Sequence, residues 1–292
     1  MHRRLLHNGM LHETSEPLVS PGQTGFMNGW GVFSTIRVYN GVLFAYRRHY
    51  ERMKRDAERM RVPVPLSAEE LERELFKLVD ANGAFNATLR VAIVRNHGGP
   101  FEGAGIRTNA DVVAFTTGLT DWGQGVKLSY VENGRHAASP FAGAKVTSWS
   151  QNLTMNEEAH EKGFDEAILL NERGHVSECT SANIFAVQGR QVLTPPLKSS
   201  GCLAGVTRAI LLEEIHLTGI EILERELTPQ QLEASDQVFI TSTTRDLLPV
   251  FEIERRSLGQ NRDVLGNLQR AFHAYQLKYV DSHPRREEAL TN

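Results

Sequence analysis

Between Glu178 and Arg208 the chain carries three short signatures in close succession: Glu178-Cys-Thr-Ser-Ala-Asn183-Ile-Phe185, Val192-Leu-Thr194-Pro-Pro196, and Leu203-Ala-Gly205-Val-Thr207-Arg208. Core packing alone has no use for such a combination. Ile184 to Val187 is strand-like, so it places Glu178 just ahead of a rigid element before the chain turns back. Gly205-Val206-Thr207 opens a run with apolar residues at Ile210, Leu211 and Ile215, the spacing of a helix buried on one face. The first N–H groups of a helix have no partner within it and form a ready anion seat. A fixed acid followed by an anion seat reads as a cofactor cradle.

The rest of the chain is consistent with two domains. Its 292 residues, 40% hydrophobic and 23% charged, are enough for two cores. A formal net charge of −3 offers no broad basic surface for nucleic acid. His2-Arg3-Arg4 is followed by too short an apolar run for a secretory signal, and nothing approaches the ~18 apolar residues of a membrane span. Cys179 and Cys202, the two cysteines, form neither a disulfide framework nor a metal-ligand pattern, so no metal site is expected and a cytoplasmic location is the default.

Residues 1–117 alternate strand-like and helical periods: a helix burying Met53, Ala57 and Met60 and ended by Pro63 to Pro65, then one capped by Ser67 and Glu70 that buries Leu71, Leu75, Leu78 and Val79. Strand-like runs at 89–94 and 112–117 flank a glycine-rich loop, Gly98 to Gly105. Residues 118–125 have the breaker content of a linker, and 126–292 form a second domain with helices near 152–162, 207–218 and 263–279 and a polar tail from Asp281.

The cradle resembles, motif by motif, the signature of the class IV aminotransferases, the fold-type IV pyridoxal phosphate family that includes branched-chain aminotransferases, D-amino acid transaminases and 4-amino-4-deoxychorismate lyases. The likeness extends over nearly the whole chain: Val32-Phe33 through Gly41, His49-Tyr-Glu-Arg52-Met53, Gly163-Phe-Asp165-Glu166 and Phe239-Ile-Thr241-Ser-Thr-Thr244 all match family landmarks. It implies a two-domain α/β (α+β) fold, with a smaller N-terminal α/β domain and a larger C-terminal pseudo-barrel domain, and pyridoxal 5′-phosphate as cofactor. It also implies a homodimer in which the neighbouring chain helps close the site.

The resemblance assigns roles. Lys145, upstream of Gly163-Phe-Asp-Glu, is the Schiff-base lysine; burial among Phe141, Ala144 and Trp149 would favour its neutral, nucleophilic form. Glu178 goes to the pyridine nitrogen, where a carboxylate keeps the ring protonated and electron-withdrawing. Arg52, picked out by the His49-x-x-Arg52 pattern, goes to the phosphate, as do Val206 and Thr207 on one side and Thr243 and Thr244 on another. Phe33, Arg37, Arg90, Arg95 and His97 are substrate-binding candidates, of which strand alternation turns only some toward the site.

Some positions depart from the family. Where members place a tyrosine after the lysine, this chain has Trp149 and Ser150. Gly98-Gly99-Pro100-Phe101 replaces a Gly-Gly-Arg-type loop of the lyases. Phe33-Ser34-Thr35 replaces the Phe-Glu-Gly of branched-chain enzymes, and Thr241-Ser-Thr-Thr244 leans to the D-amino acid branch. The leading expectation is an aminotransferase acting between a branched-chain or D-amino acid and a 2-oxo acid. The alternatives are a 4-amino-4-deoxychorismate lyase and a non-catalytic binding module.

Overall fold

Asn8-Gly9 reverses the chain because both residues sit at positive φ, 48° and 82°, as a two-residue hairpin requires. It joins β1 (Arg4–His7) to β2 (Met10–Glu13). The short helix α1 (Thr24–Asn28) follows, then Asn40-Gly41, at 49° and 82°, repeats the device between β3 (Gly31–Tyr39) and β4 (Val42–Leu43). The computed structural model describes residues 1–100, 102–259 and 263–283. Phe101, in the middle of the Gly98 to Gly105 loop, and the tail from 284 onward lie outside the described residues.

Helix α2 (Tyr46–Met60) buries two neighbouring stripes. Tyr46, Tyr50, Met53 and Ala57 form an apolar one, and His49, Arg52 and Asp56 a polar one, while Arg47, Arg55 and Arg59 stay exposed. Helix α3 (Ala68–Ala81) begins with the expected capping box: the Glu70 N–H donates to Ser67 Oγ at 3.2 Å and the Ser67 N–H to Glu70 Oε2 at 2.8 Å. Its Leu71, Leu75, Leu78 and Val79 pack with Ile36, Leu89 and Ile93. The longer strands β5 (Ala87–Arg95) and β6 (Ala110–Thr117) complete a six-stranded sheet in the order β2-β1-β6-β5-β3-β4. This first compact unit covers Met1–Thr120 together with Lys145–Trp149 and the chain from Gln276 onward.

The second unit covers Asp121–Ala144 and Ser150–Tyr275. Its strands are β7 (Val126–Arg135), β8 (Glu166–Asn171), β9 (Val176–Cys179), β10 (Asn183–Gln188), β11 (Gln191–Thr194), β12 (Glu221–Glu224), β13 (Gln237–Ser242), β14 (Asp246–Ile253) and β15 (Arg256–Ser257). They form a nine-stranded mixed sheet ordered β12-β11-β10-β13-β14-β7-β8-β9, with β15 on β14. At its centre Phe185 of β10 stacks on Phe239 of β13, ring centres 5.0 Å apart. Helices α4 (Ser150–Glu161), α5 (Leu197–Ser200), α6 (Val206–Glu213) and α7 (Pro229–Glu233) connect the strands, and α8 (Asp263–Ser282) closes the described chain. Helix α6 ends earlier than its apolar spacing suggests: Leu217 pairs with Ile220 across Gly219 (φ 72°), which turns the chain into β12. Among the described residues no helix is long and apolar enough to cross a membrane.

Candidate active site

In the first unit Lys145 lies on a short extended strip laid against the end of β3. Val146 bridges Val32, the Phe33 N–H donates to the Lys145 carbonyl at 3.1 Å, and the Thr147 N–H donates to the Gly31 carbonyl at 2.9 Å. Gly29, left-handed at φ 61°, closes α1 against Ser148, where a Cβ would stand 2.8 Å from the Ser148 Cα and leave no room for a side chain. The Lys145 N–H donates to Asp56 Oδ2 at 3.0 Å, so the polar stripe of α2 holds the strip from below. The Lys145 Nζ is 4.6 Å from the Phe33 ring centre and 4.7 Å from that of Trp149, and those two rings meet edge to face. Trp149 at the usual tyrosine position is thus part of the lysine's apolar wall. Phe141, expected in that wall, is instead 53% exposed.

Register decides which arginines join this group. In an antiparallel pair directly opposed residues share a face; Thr35 opposes Arg90, Arg37 opposes Thr88 and Phe33 opposes Ala92, so Phe33, Arg37 and Arg90 lie on one face. The Arg90 guanidinium rests 3.8 Å from the Phe33 ring centre and makes no hydrogen bond or ion pair among the described residues. Burial lowers its pKa. Arg37 leans on Tyr39, at 5.7 Å. The other two candidates are engaged elsewhere. Arg95 stacks on Trp30 and donates to the backbone carbonyls of His97 (2.7 Å) and Arg61 (2.8 Å), while His97 Nδ1 pairs with Glu102 at 2.7 Å. Both brace the base of the Gly98 to Gly105 loop and are not brought to Lys145.

Arg52 is 4% exposed, whereas Arg55 three residues on is exposed, a contrast that follows from the two stripes of α2. Its Nη2 donates to Ser34 Oγ at 2.8 Å and its Nε is buried without a partner among the described residues. Burial pushes its pKa down to about 10, against the pull of the Asp56 charge. A buried guanidinium with most of its donors unused is short of an anion, and a phosphate dianion fits that need.

In the second unit Glu178, at the end of β9, is held on both carboxylate oxygens. Oε1 accepts from Arg135 Nη2 at 2.8 Å and Oε2 from the Leu203 N–H at 3.0 Å. The second bond ties the acid to the loop that leads into α6. Asn183 pins the same loop by donating to the Leu203 carbonyl at 2.9 Å, and a Cβ on Gly205 would stand 2.0 Å from Asn183 Oδ1, so a side chain there would dislodge the loop. Gly205 caps α6 with extended backbone and no side-chain cap, leaving the first N–H groups, with buried Thr207, available to an anion. Arg208 secures the helix by pairing with Glu224 and donating to the Pro195 carbonyl. Thr243 and Thr244 sit in the turn from β13 to β14, ahead of Arg245. That arginine lies 3.8 Å from the Trp122 ring centre and reaches the buried Glu166.

Sequence reasoning missed Arg135, Asp56, Glu166 and Arg245. Asp56 had a usable signal, since it stands one helical turn beyond Arg52 on the same stripe; Arg135, 43 residues from Glu178, had none.

The chain matches the class IV amino-transferase family over residues 31–253, and it belongs to that family. It is 29% identical over 260 residues to the D-alanine aminotransferase of Bacillus licheniformis, across 88% of this chain and 90% of that one. The branched-chain aminotransferase of the thermophilic archaeon Thermoproteus uzoniensis, solved with norvaline, superposes with a TM-score of 0.86 at 28% identity over 97% of each chain. The T.th. branched-chain amino acid aminotransferase, solved with pyridoxamine 5′-phosphate, gives 0.84 at 25% over 96% of each. The fold is fold-type IV, the chain is an aminotransferase, and its cofactor is pyridoxal 5′-phosphate.

Proposed function

We propose that this enzyme moves the amino group of a branched-chain or D-amino acid to a 2-oxo acid, with Lys145 as the covalent and proton-transferring residue. The observation that carries the substrate side is Arg90, a guanidinium without a polar partner among the described residues, on Phe33 beside the Lys145 amine. An amino acid carboxylate is the anion it suits, and the Phe33 and Trp149 rings favour an apolar side chain.

Arg52, the N–H groups of Val206 and Thr207, and the Thr243 and Thr244 hydroxyls would hold the cofactor's phosphate. Glu178, kept in place by Arg135 and the Leu203 N–H, would hold the proton on the pyridine nitrogen. When bound, the cofactor supplies an electron-withdrawing ring that stabilises negative charge at the substrate Cα. Lys145 would form the bond to the cofactor's aldehyde carbon and, once displaced by substrate, carry the proton between Cα and C4′. The Phe33 and Trp149 rings flank that amine at 4.6 and 4.7 Å.

The reading includes a homodimer in the cytoplasm. Two buried free cysteines, Cys179 and Cys202, suit a reducing compartment, and light scattering at twice the 32.7 kDa chain mass checks the dimer. The activity is tested with purified enzyme, a panel of L- and D-amino acids and 2-oxoglutarate or pyruvate as acceptor. Keto acid release that depends on acceptor in a double-displacement pattern supports the reading. Acceptor-independent formation of pyruvate and 4-aminobenzoate from 4-amino-4-deoxychorismate would replace it with the lyase.

A further inference from the structure

Beneath Arg52 runs a hydrogen-bond chain that the cofactor and substrate assignments leave unused. Ser34 lies on the face of β3 opposite to Phe33, among the core residues Val32, Ile36 and Val91, and is fully buried. His49, also fully buried, stands one turn before Arg52 on α2. Arg52 Nη2 is 2.8 Å from Ser34 Oγ, and Ser34 Oγ is 2.9 Å from His49 Nδ1.

A guanidinium can only donate, so Ser34 Oγ accepts from Arg52; the Ser34 proton goes to His49 Nδ1 when the ring is in its Nε2–H form. An imidazole accepting at Nδ1 carries its proton on Nε2, and that nitrogen is buried with no partner among the described residues. Burial, the Arg52 charge and the Lys145 charge together hold the His49 pKa well below its ordinary value, in keeping with a neutral ring. Asp56, whose charge acts on Arg52 from the same stripe of α2, accepts the Lys145 N–H and makes no ion pair with Arg52 among the described residues.

We propose that Ser34 and a neutral Nε2–H His49 are positioning residues, aiming the Arg52 guanidinium at the cofactor phosphate with uncharged acceptors. A carboxylate in their place would orient the guanidinium equally well but satisfy its charge, weakening its pull on a dianion. A serine backed by imidazole fixes one arm of the fork and leaves the charge and the remaining donors for the phosphate. The inference rests on the assignment of Arg52 to the phosphate.

The test titrates apoprotein with pyridoxal 5′-phosphate and with pyridoxal, which lacks the phosphate. Ser34→Ala is expected to raise Kd for the phosphate form about tenfold and that for pyridoxal less than twofold, with Ser34→Thr restoring the wild-type ratio. Equal weakening of both ligands, or no change, would overturn the proposal. Arg52→Ala is run in parallel; if it weakens the phosphate form selectively while Ser34→Ala does not, the Arg52 assignment stands and the positioning role falls. If Arg52→Ala is itself unselective, the assignment fails first. Nitrogen NMR of wild-type apoprotein, with the His49 signal identified by its loss in His49→Gln, adds a readout independent of how Ser34→Ala or Arg52→Ala folds. A neutral Nε2–H ring at pH 7 is expected, and an Nδ1–H or charged ring would refute the hydrogen-bond direction.

Discussion

Arg90 brings a positive charge to a half-buried position and finds an aromatic ring there but, among the described residues, no acceptor. Hydrogen bonds to charged groups contribute roughly 1.5–3 kcal/mol, so Arg90→Met should raise KM for the amino acid about 10- to 100-fold. Cofactor affinity should stay at the wild-type value, because Arg90 is not among the residues proposed for the phosphate and the pyridine nitrogen; steady-state kinetics and cofactor titration check the pair of outcomes. His49 gives a second prediction. Its folded pKa is depressed, so below the unfolded value of about 6.5 the unfolded chain binds more protons than the native one, and stability falls as pH drops from there. Denaturant unfolding of the apoprotein between pH 7.5 and 5.5 should show that loss, and His49→Gln should flatten the curve across the same window.

Among the elements of the second unit, the turn carrying Thr243 and Thr244 is anchored through Arg245. That side chain donates to Ser181 Oγ at 2.9 Å and approaches Glu166 Oε2 at 3.4 Å, and Glu166 also accepts from Thr180, Ser181, Asn156 and the Ala167 N–H. Thr180 and Ser181 come two and three residues after Glu178, so one buried carboxylate ties the acid's strand to the threonine turn. Removing one partner of a buried pair costs roughly 3–5 kcal/mol. Arg245→Ala should therefore lose about that much in urea unfolding and weaken cofactor binding; a stability change of less than about a third of that cost would mean the pair is not a tie. Elements of this kind were unevenly legible from sequence. The capping box of α3, the strand–return–helix order around Glu178 and the Asn183-Ile-Phe triplet depend on local spacing, so they could be read. Asn8-Gly9 is a hairpin signal, but the strands it joins are only four residues each and carry little alternation. Glu166 and Arg245 meet across 79 residues, and no local pattern announces a contact at that range. The same limit explains Arg95 and His97: strand position suggested a site role, whereas Trp30, Arg61 and Glu102, which engage them, come from other segments or from the loop itself.

For the chain as a whole, cofactor binding and stability are one equilibrium. A ligand that binds only the folded state adds about 2.7 kcal/mol at one hundred times its Kd, so stripping the cofactor should lower Tm and restoring it should return the loss in a concentration-dependent way. Lys145→Ala should abolish turnover yet keep most of this stabilisation, since Arg52, Glu178, Thr207 and the threonine turn remain. Calorimetry of wild type and variant, each with and without cofactor, separates the covalent contribution from the noncovalent one. Everything assigned to the site depends on Lys145 being the residue that bonds the cofactor, and borohydride reduction of the holoenzyme followed by proteolysis and mass spectrometry decides that point. A single phosphopyridoxyl group is expected on the peptide that contains Lys145. The same mass on a peptide bearing any other lysine, or no retained mass at all, would refute the assignment.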